Sequence, residues 1–145
     1  MKKIILTLAI FTSLQSSAQV FAGMGIGSTV NANAGILVND IELSVNYNHP
    51  YSKVEIPAIV SVSLGKMLLL TNNDQDNFTL TLSAGVAFHS YTITESNGKA
   101  AGKVKETKPI YSLEAGKDWN MGRLYVSGQY SGRLMLGVGI KFYFD

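Results

Sequence analysis

Four charged residues stand well inside stretches that otherwise alternate between apolar and small side chains: Glu42, Glu114, Arg123 and Lys141. Two acids and two bases held away from water must pair, since an unpartnered buried charge is costly. The chemistry they offer is mutual neutralisation. It suits a salt-bridge network that plugs an interior, or alternatively a gate on a small ion path. Imidazole chemistry is confined to His49 and His89. His49 is expected in a loop. His89 is expected on an inward strand position, with Ser90 beside it. Adjacent strand residues point to opposite faces, so these two cannot act on one another as base and nucleophile. The sequence GMGIG at 23–27 has glycines, but at period two and with no helix to follow, so it does not read as a phosphate cradle. Its glycines are expected to make room for side chains from across an interior. No catalytic residue, cofactor or metal site is expected.

These residues sit on elements that alternate. From Leu134 to Phe144 every even-numbered residue is apolar, the period of a β-strand with one greasy face. Similar segments are expected near 20–28, 31–38, 41–48, 57–70, 77–93, 106–118, 122–131 and 133–144. Turn chemistry separates them: Asn39-Asp40, TNNDQDN at 71–77 and Asn120-Met121-Gly122 on one side, HPYSKVE at 49–55 and TESNGKAAGKVKET at 94–107 on the other. No helical period competes. The fold class expected is all-β, an eight-stranded antiparallel up-and-down barrel.

The first residues have the form of a cleavable signal peptide, 1–18: a charged start at Lys2 and Lys3, an apolar run from Ile4 to Phe11, and small residues before Gln19. The barrel then occupies 19–145. Without Lys2 and Lys3 the 12 Lys and Arg become 10 against 10 Asp and Glu, so the excess charge belongs to the export signal. Nucleic acid is not an expected partner. With no cysteine, stability must come from pairing and packing.

Strand phase divides the residues into two faces. One carries Val20, Met24, Leu43, Val45, Leu64, Leu82, Leu113, Leu124, Val126 and the even set of the last strand. The other carries Gly23, Gly25, Asn31, Asn33, Ser44, Asn46, Ser61, Ser63, Thr81, Ser83, Ser112 and Ser127. A soluble barrel would show that second face to water and would need many charges on it. Charges there are sparse, so the apolar face is expected outward, in lipid, and the chain is expected to be a transmembrane barrel. A soluble, secreted, ligand-binding barrel of lipocalin or avidin type, apolar face inward, is the alternative. A lipid A-modifying membrane enzyme is a further one.

Aromatic residues on the apolar face fall into two belts. Tyr47, Phe88, Tyr111 and Tyr130 lie toward the long connections, and Phe78, Trp119, Phe142 and Phe144 toward the short ones. Ten residues separate Phe78 from Phe88, roughly 33 Å of strand and roughly 24 Å of height at a 45° tilt, the height of an outer-membrane apolar band. Lys66 and Lys117 break the phase; they either snorkel toward headgroups or are turned inward by a bulge. Lys99, Lys103 and Lys105, with Lys108 nearby, form a basic cluster expected in an outer loop, where lipopolysaccharide phosphates are a candidate partner.

A signal peptide, eight amphipathic strands and a last strand ending KFYF together resemble the small outer-membrane β-barrels of Gram-negative bacteria, the OmpA/OmpX-like group, over essentially the whole mature chain. The resemblance implies a Gram-negative outer membrane as location and outer-membrane lipid and lipopolysaccharide as surroundings. It also implies that Lys141, Phe142, Tyr143 and Phe144 are read by the barrel-assembly machinery. Asp145 after the last Phe departs from that pattern, and no periplasmic peptidoglycan-binding domain is recognised. The function this points to is structural or surface-interacting, without catalysis or an open pore. It names no extracellular partner.

Overall fold

The computed structural model describes residues 18–51, 58–73, 76–94 and 100–144. Alternation becomes eight strands: β1 (Ala18–Gly27), β2 (Thr29–Val38), β3 (Ile41–Pro50), β4 (Ala58–Asn73), β5 (Asp76–Thr94), β6 (Ala100–Trp119), β7 (Gly122–Tyr130) and β8 (Leu134–Phe144). Each pairs antiparallel with its neighbour in sequence, and β1 pairs with β8 from Val20↔Phe144 to Gly27↔Gly137. The sheet is a closed barrel, so no strand edge is left unpaired. The signal-peptide reading of 1–18 lies outside the described residues except for Ala18, which opens β1.

The apolar face points outward. Met24, Leu64, Leu82, Leu124, Val126 and Leu136 are each at least half exposed, while Ser44, Ser61, Ser63, Thr79 and Thr81 are buried inside. A ligand-binding barrel with an apolar calyx needs the reverse, so the lipocalin or avidin alternative is overturned. The inner face is less uniformly small than expected. Phe21, Ile59, Ile110, Tyr125 and Met135 are buried within it. A lumen whose wall is mostly Gly and Ser has room for a few large side chains, and these fill it.

The second and sixth connections are two-residue turns, as expected at one end of an up-and-down barrel. Asn39 and Asp40 both have positive φ, 48° and 64°, the conformation of a type I′ hairpin turn that Asn and Asp tolerate. Several expected boundaries move. Thr71, Asn72 and Asn73 are not a loop but pair with Phe78, Asn77 and Asp76, past a bulge between Leu69 and Thr71. His49 lies on β3, not in a loop, exposed beside Tyr47, whose hydroxyl is 3.1 Å from its Nδ1.

The largest change is at β6, which begins at Ala100 rather than near 106. Lys103 and Lys105 therefore stand on a strand, paired with Thr92 and Ser90, and the expected outer-loop cluster is a strand ladder; Lys99 lies outside the described residues. The physical reason is that the β-branched residues Ile93 and Val104 favour a strand there.

Candidate functional site

Within the lumen, strands far apart in sequence bring four anticipated charges together. Lys141 of β8 donates from Nζ to Glu42 of β3 at 3.1 and 3.2 Å and to Glu114 of β6 at 2.9 Å. Arg123 of β7 donates from Nη1 to the same Glu114 oxygen at 3.4 Å. Glu114 therefore bridges the two cations. Sequence phase alone placed these residues on one face; closure of the barrel made them touch.

A fifth member was missed. Arg123 makes a two-pronged contact with Asp118, Nε to Oδ1 at 2.5 Å and Nη2 to Oδ2 at 3.2 Å. Asp118 lies four residues after Glu114 on the same strand phase, so alternation could have found it. The expected balance of two acids and two bases becomes three acids and two bases. The guanidinium is further met by Thr81 Oγ1, Met67 Sδ and the Tyr143 ring, 5.7 Å from Cζ to centroid. Lys141 Nζ also stands 4.9 Å from the Phe21 ring centroid and 5.3 Å from that of Tyr125.

Glycines make this packing possible. A Cβ at Gly116 would come within 2.6 Å of Arg123 Cδ, and one at Gly23 within 2.9 Å of Lys141 Cγ. In GMGIG, Gly25 leaves space for the Tyr125 hydroxyl, which accepts from Asn33 Nδ2 at 3.0 Å. Gly23 and Gly25 thus make room for lumen side chains, whereas Gly27 allows close approach of the β8 backbone at Leu136.

Above the charges the lumen is neutral and polar. Ser44 and Ser63 hydroxyls are 2.9 Å apart, Ser83 and Ser112 are hydrogen-bonded, and Asn48 Nδ2 donates to Gln129 at 3.3 Å. The cavity left among Asn31, Asn46, Glu42, Ser112 and Lys141 is about 20 Å³, which holds about one water molecule.

Higher still, His89 Nε2 is 2.8 Å from Ser131 Oγ, with both residues buried. The histidine is the inward hydrogen-bonded residue expected, but its serine partner is Ser131; Ser90 faces outward. Glu106, opposite His89 in register, pairs instead with Lys108 at 2.8 Å. Among the described residues no group of His, Cys, Asp and Glu could hold a metal ion.

On the outside, all eight girdle aromatics are exposed. Tyr47 and Phe88 flank Val60 in one cross-strand row, and Tyr111 pairs with Tyr130. At the other end Trp119 meets Phe142 edge-on, 6.5 Å between centroids. Of the expected assembly signal, Phe142 and Phe144 face outward and Tyr143 faces inward against Phe21, 6.1 Å between ring centroids. Lys66 and Lys117 also face outward and no bulge turns them in. Lys66 Nζ is 3.5 Å from Asp40, and Lys117 Nζ lies 5.8 Å from the Phe78 ring centroid.

A closed barrel of eight strands, each paired with its neighbour in sequence, has known counterparts. The N-terminal β-barrel domain of Pseudomonas aeruginosa OprF is similar, with TM-score 0.53, 18% identity, and coverage of 88% of this chain and 96% of that one. This chain has the fold of the small outer-membrane β-barrels. Neisserial surface protein A is also similar at TM-score 0.53 and 12% identity, over 88% of this chain and 94% of that one. So is a de novo designed transmembrane β-barrel, at TM-score 0.57 and 15% identity over 88% and 95%. No protein-family model matches this outer-membrane-type barrel, and neither does any curated protein.

Proposed function

We propose that this protein is an integral barrel of a Gram-negative outer membrane, with a lumen closed by side chains and a structural or surface-interacting role in the cell envelope. The observation that carries this reading is the five-residue ion network that spans the lumen, with a cavity of only about 20 Å³ above it. Such an interior favours closure over conduction. The outward apolar face and its two aromatic belts support insertion in a bilayer.

Lys103 and Lys105 are the surface offered to lipopolysaccharide. They are exposed on the outward phase of β6, where Thr107 pairs with Phe88 and Lys105 with Ser90. Lys105 is thus two residues beyond the aromatic belt along β5, roughly 7 Å of strand and about 5 Å of height. Lys103 is two residues higher. Their ammonium groups reach the level at which lipid A phosphates lie, next to lipid and not over the lumen.

The His89–Ser131 contact is the feature that would favour a hydrolase. Both side chains are buried within the lumen, and Glu106, the carboxylate facing His89, is held by Lys108. We therefore read the pair as a lumen hydrogen bond.

Outer membranes run on SDS gels with and without boiling test the main reading. A folded barrel migrates differently before and after heating, whereas recovery only in the soluble periplasm overturns it. Lipopolysaccharide in the bilayer is expected to raise thermal stability, and Lys103→Ala with Lys105→Ala to remove the increment. Loss of lipid A acyl chains that disappears with His89→Ala would establish the enzyme instead.

A further inference from the structure

The outer mouth of the lumen holds a second cationic group, separate from the ion network and from the outward lysines. Between β7 and β8 the chain turns through Ser131, Gly132 and Arg133, with Gly132 at φ +76° and the Ser131 N–H donating to the Arg133 carbonyl at 3.1 Å. Arg133 immediately precedes β8, close enough to the buried His89 to act on its charge. Its Nε and Nη2 are shielded from solvent and have no hydrogen-bond partner. An arginine is charged at any physiological pH, so these are unsatisfied donors of a permanent cation. Leaving them so is expensive, and native structures avoid it by supplying an ion, water or ligand.

The surroundings favour an anion. Lys108 points into the same mouth and packs along Gly132, its Nζ 3.4 Å from where a Cβ would stand. Glu106, the carboxylate at this level, is engaged by Lys108 at 2.8 Å. Lys108, Glu106 and Arg133 all act on the charge of His89, which places the four groups in one electrostatic neighbourhood. Among the described residues, Arg133 and Lys108 stand here with Glu106, and the Arg133 donors are the ones without a partner. Ile59, Ala87, Ile110 and Met135 form a buried apolar cluster beside this mouth, with Ile59 paired to His89 and Ala87 to Lys108.

The geometry points to an oxyanion site at this mouth: the Arg133 fork, backed by Lys108 and the His89–Ser131 pair, takes a phosphate or sulfate ester group presented from the external aqueous side. A planar guanidinium suits such a group because it offers two parallel donors. This site is independent of the Lys103 and Lys105 surface, which faces lipid on the other side of the same hairpin.

The test uses the whole mature barrel in phospholipid nanodiscs free of lipopolysaccharide, titrated with inorganic pyrophosphate. The Arg133 Nε–H resonance is expected to shift and saturate. Arg133→Gln, folded by the band-shift criterion, is expected to lose about ten- to a hundredfold in calorimetric affinity, the worth of one or two charged hydrogen bonds. Should that variant fail to fold, Arg133→Lys, which keeps the charge and removes the fork, takes its place with a loss of at least about tenfold. Lys103→Ala with Lys105→Ala is expected to bind as wild type, which separates this site from the lipid-facing surface. In nanodiscs containing lipopolysaccharide, a resonance already shifted before titration identifies the lipid's own phosphates as the ligand; an unshifted one identifies a soluble anion. No saturable shift, or a smaller loss in the Arg133 variant, means that water alone satisfies the guanidinium and overturns the site.

Discussion

Lys141 Nζ lies 3.1 Å from Glu42 Oε2, and the strands that carry them, β8 and β3, are not neighbours in the sheet. The contact crosses the lumen and so exists only when the barrel is closed. Either Lys141→Met or Glu42→Leu leaves a buried charge with fewer partners and is expected to cost about 3–5 kcal/mol. The double variant is expected to cost less than the sum, because neither charge is then orphaned. Urea titrations of the barrel in vesicles, followed by the band shift, measure this. Strict additivity would show that the two residues do not act as a pair.

Glu114 shares one oxygen between Lys141 and Arg123. Glu114→Leu is expected to destabilise the barrel by a similar amount while conductance stays near zero, because the remaining side chains still fill the lumen. Planar-bilayer recording checks this, and large, stable single channels from the unmodified protein would defeat the closed-lumen reading.

Gly116 and Gly128 make a matched pair, one inward and one outward. A side chain at Gly116 would displace Arg123, whereas a Cβ at Gly128 would meet only Leu136 Cδ2, at 3.5 Å. Gly116→Val is expected to cost about 1–3 kcal/mol by overpacking, more if the Asp118 contact is lost. Gly128→Val is expected to be close to neutral. Equal effects at the two positions would contradict the assigned faces.

Val126 is exposed at the middle of β7. If hydrocarbon bathes that face, Val126→Arg costs about 2–4 kcal/mol in a bilayer. The same change on a water-facing sheet would be almost free. Equilibrium unfolding in vesicles distinguishes the two, and a negligible cost would count against membrane insertion.

Most of the architecture was legible in the chain because the side-chain period of a strand is two, and a closed sheet must put every second residue on the same side. The strands themselves and the shared face of Glu42, Glu114, Arg123 and Lys141 follow from that rule, while the outward direction of the apolar face followed from the scarcity of charge on the opposite one. Strand ends were less legible. Lys103 and Lys105 look like loop residues locally, yet pairing with Ser90 and Thr92 carries the ladder past them. What closure alone decided is which inward residues meet. Phase put Glu42 and Lys141 on one face, but only closure of the sheet set them 3.1 Å apart. Likewise, that His89 meets Ser131 and not Ser90 depends on distances across a lumen, and a repeat along the strand carries no information about what stands opposite.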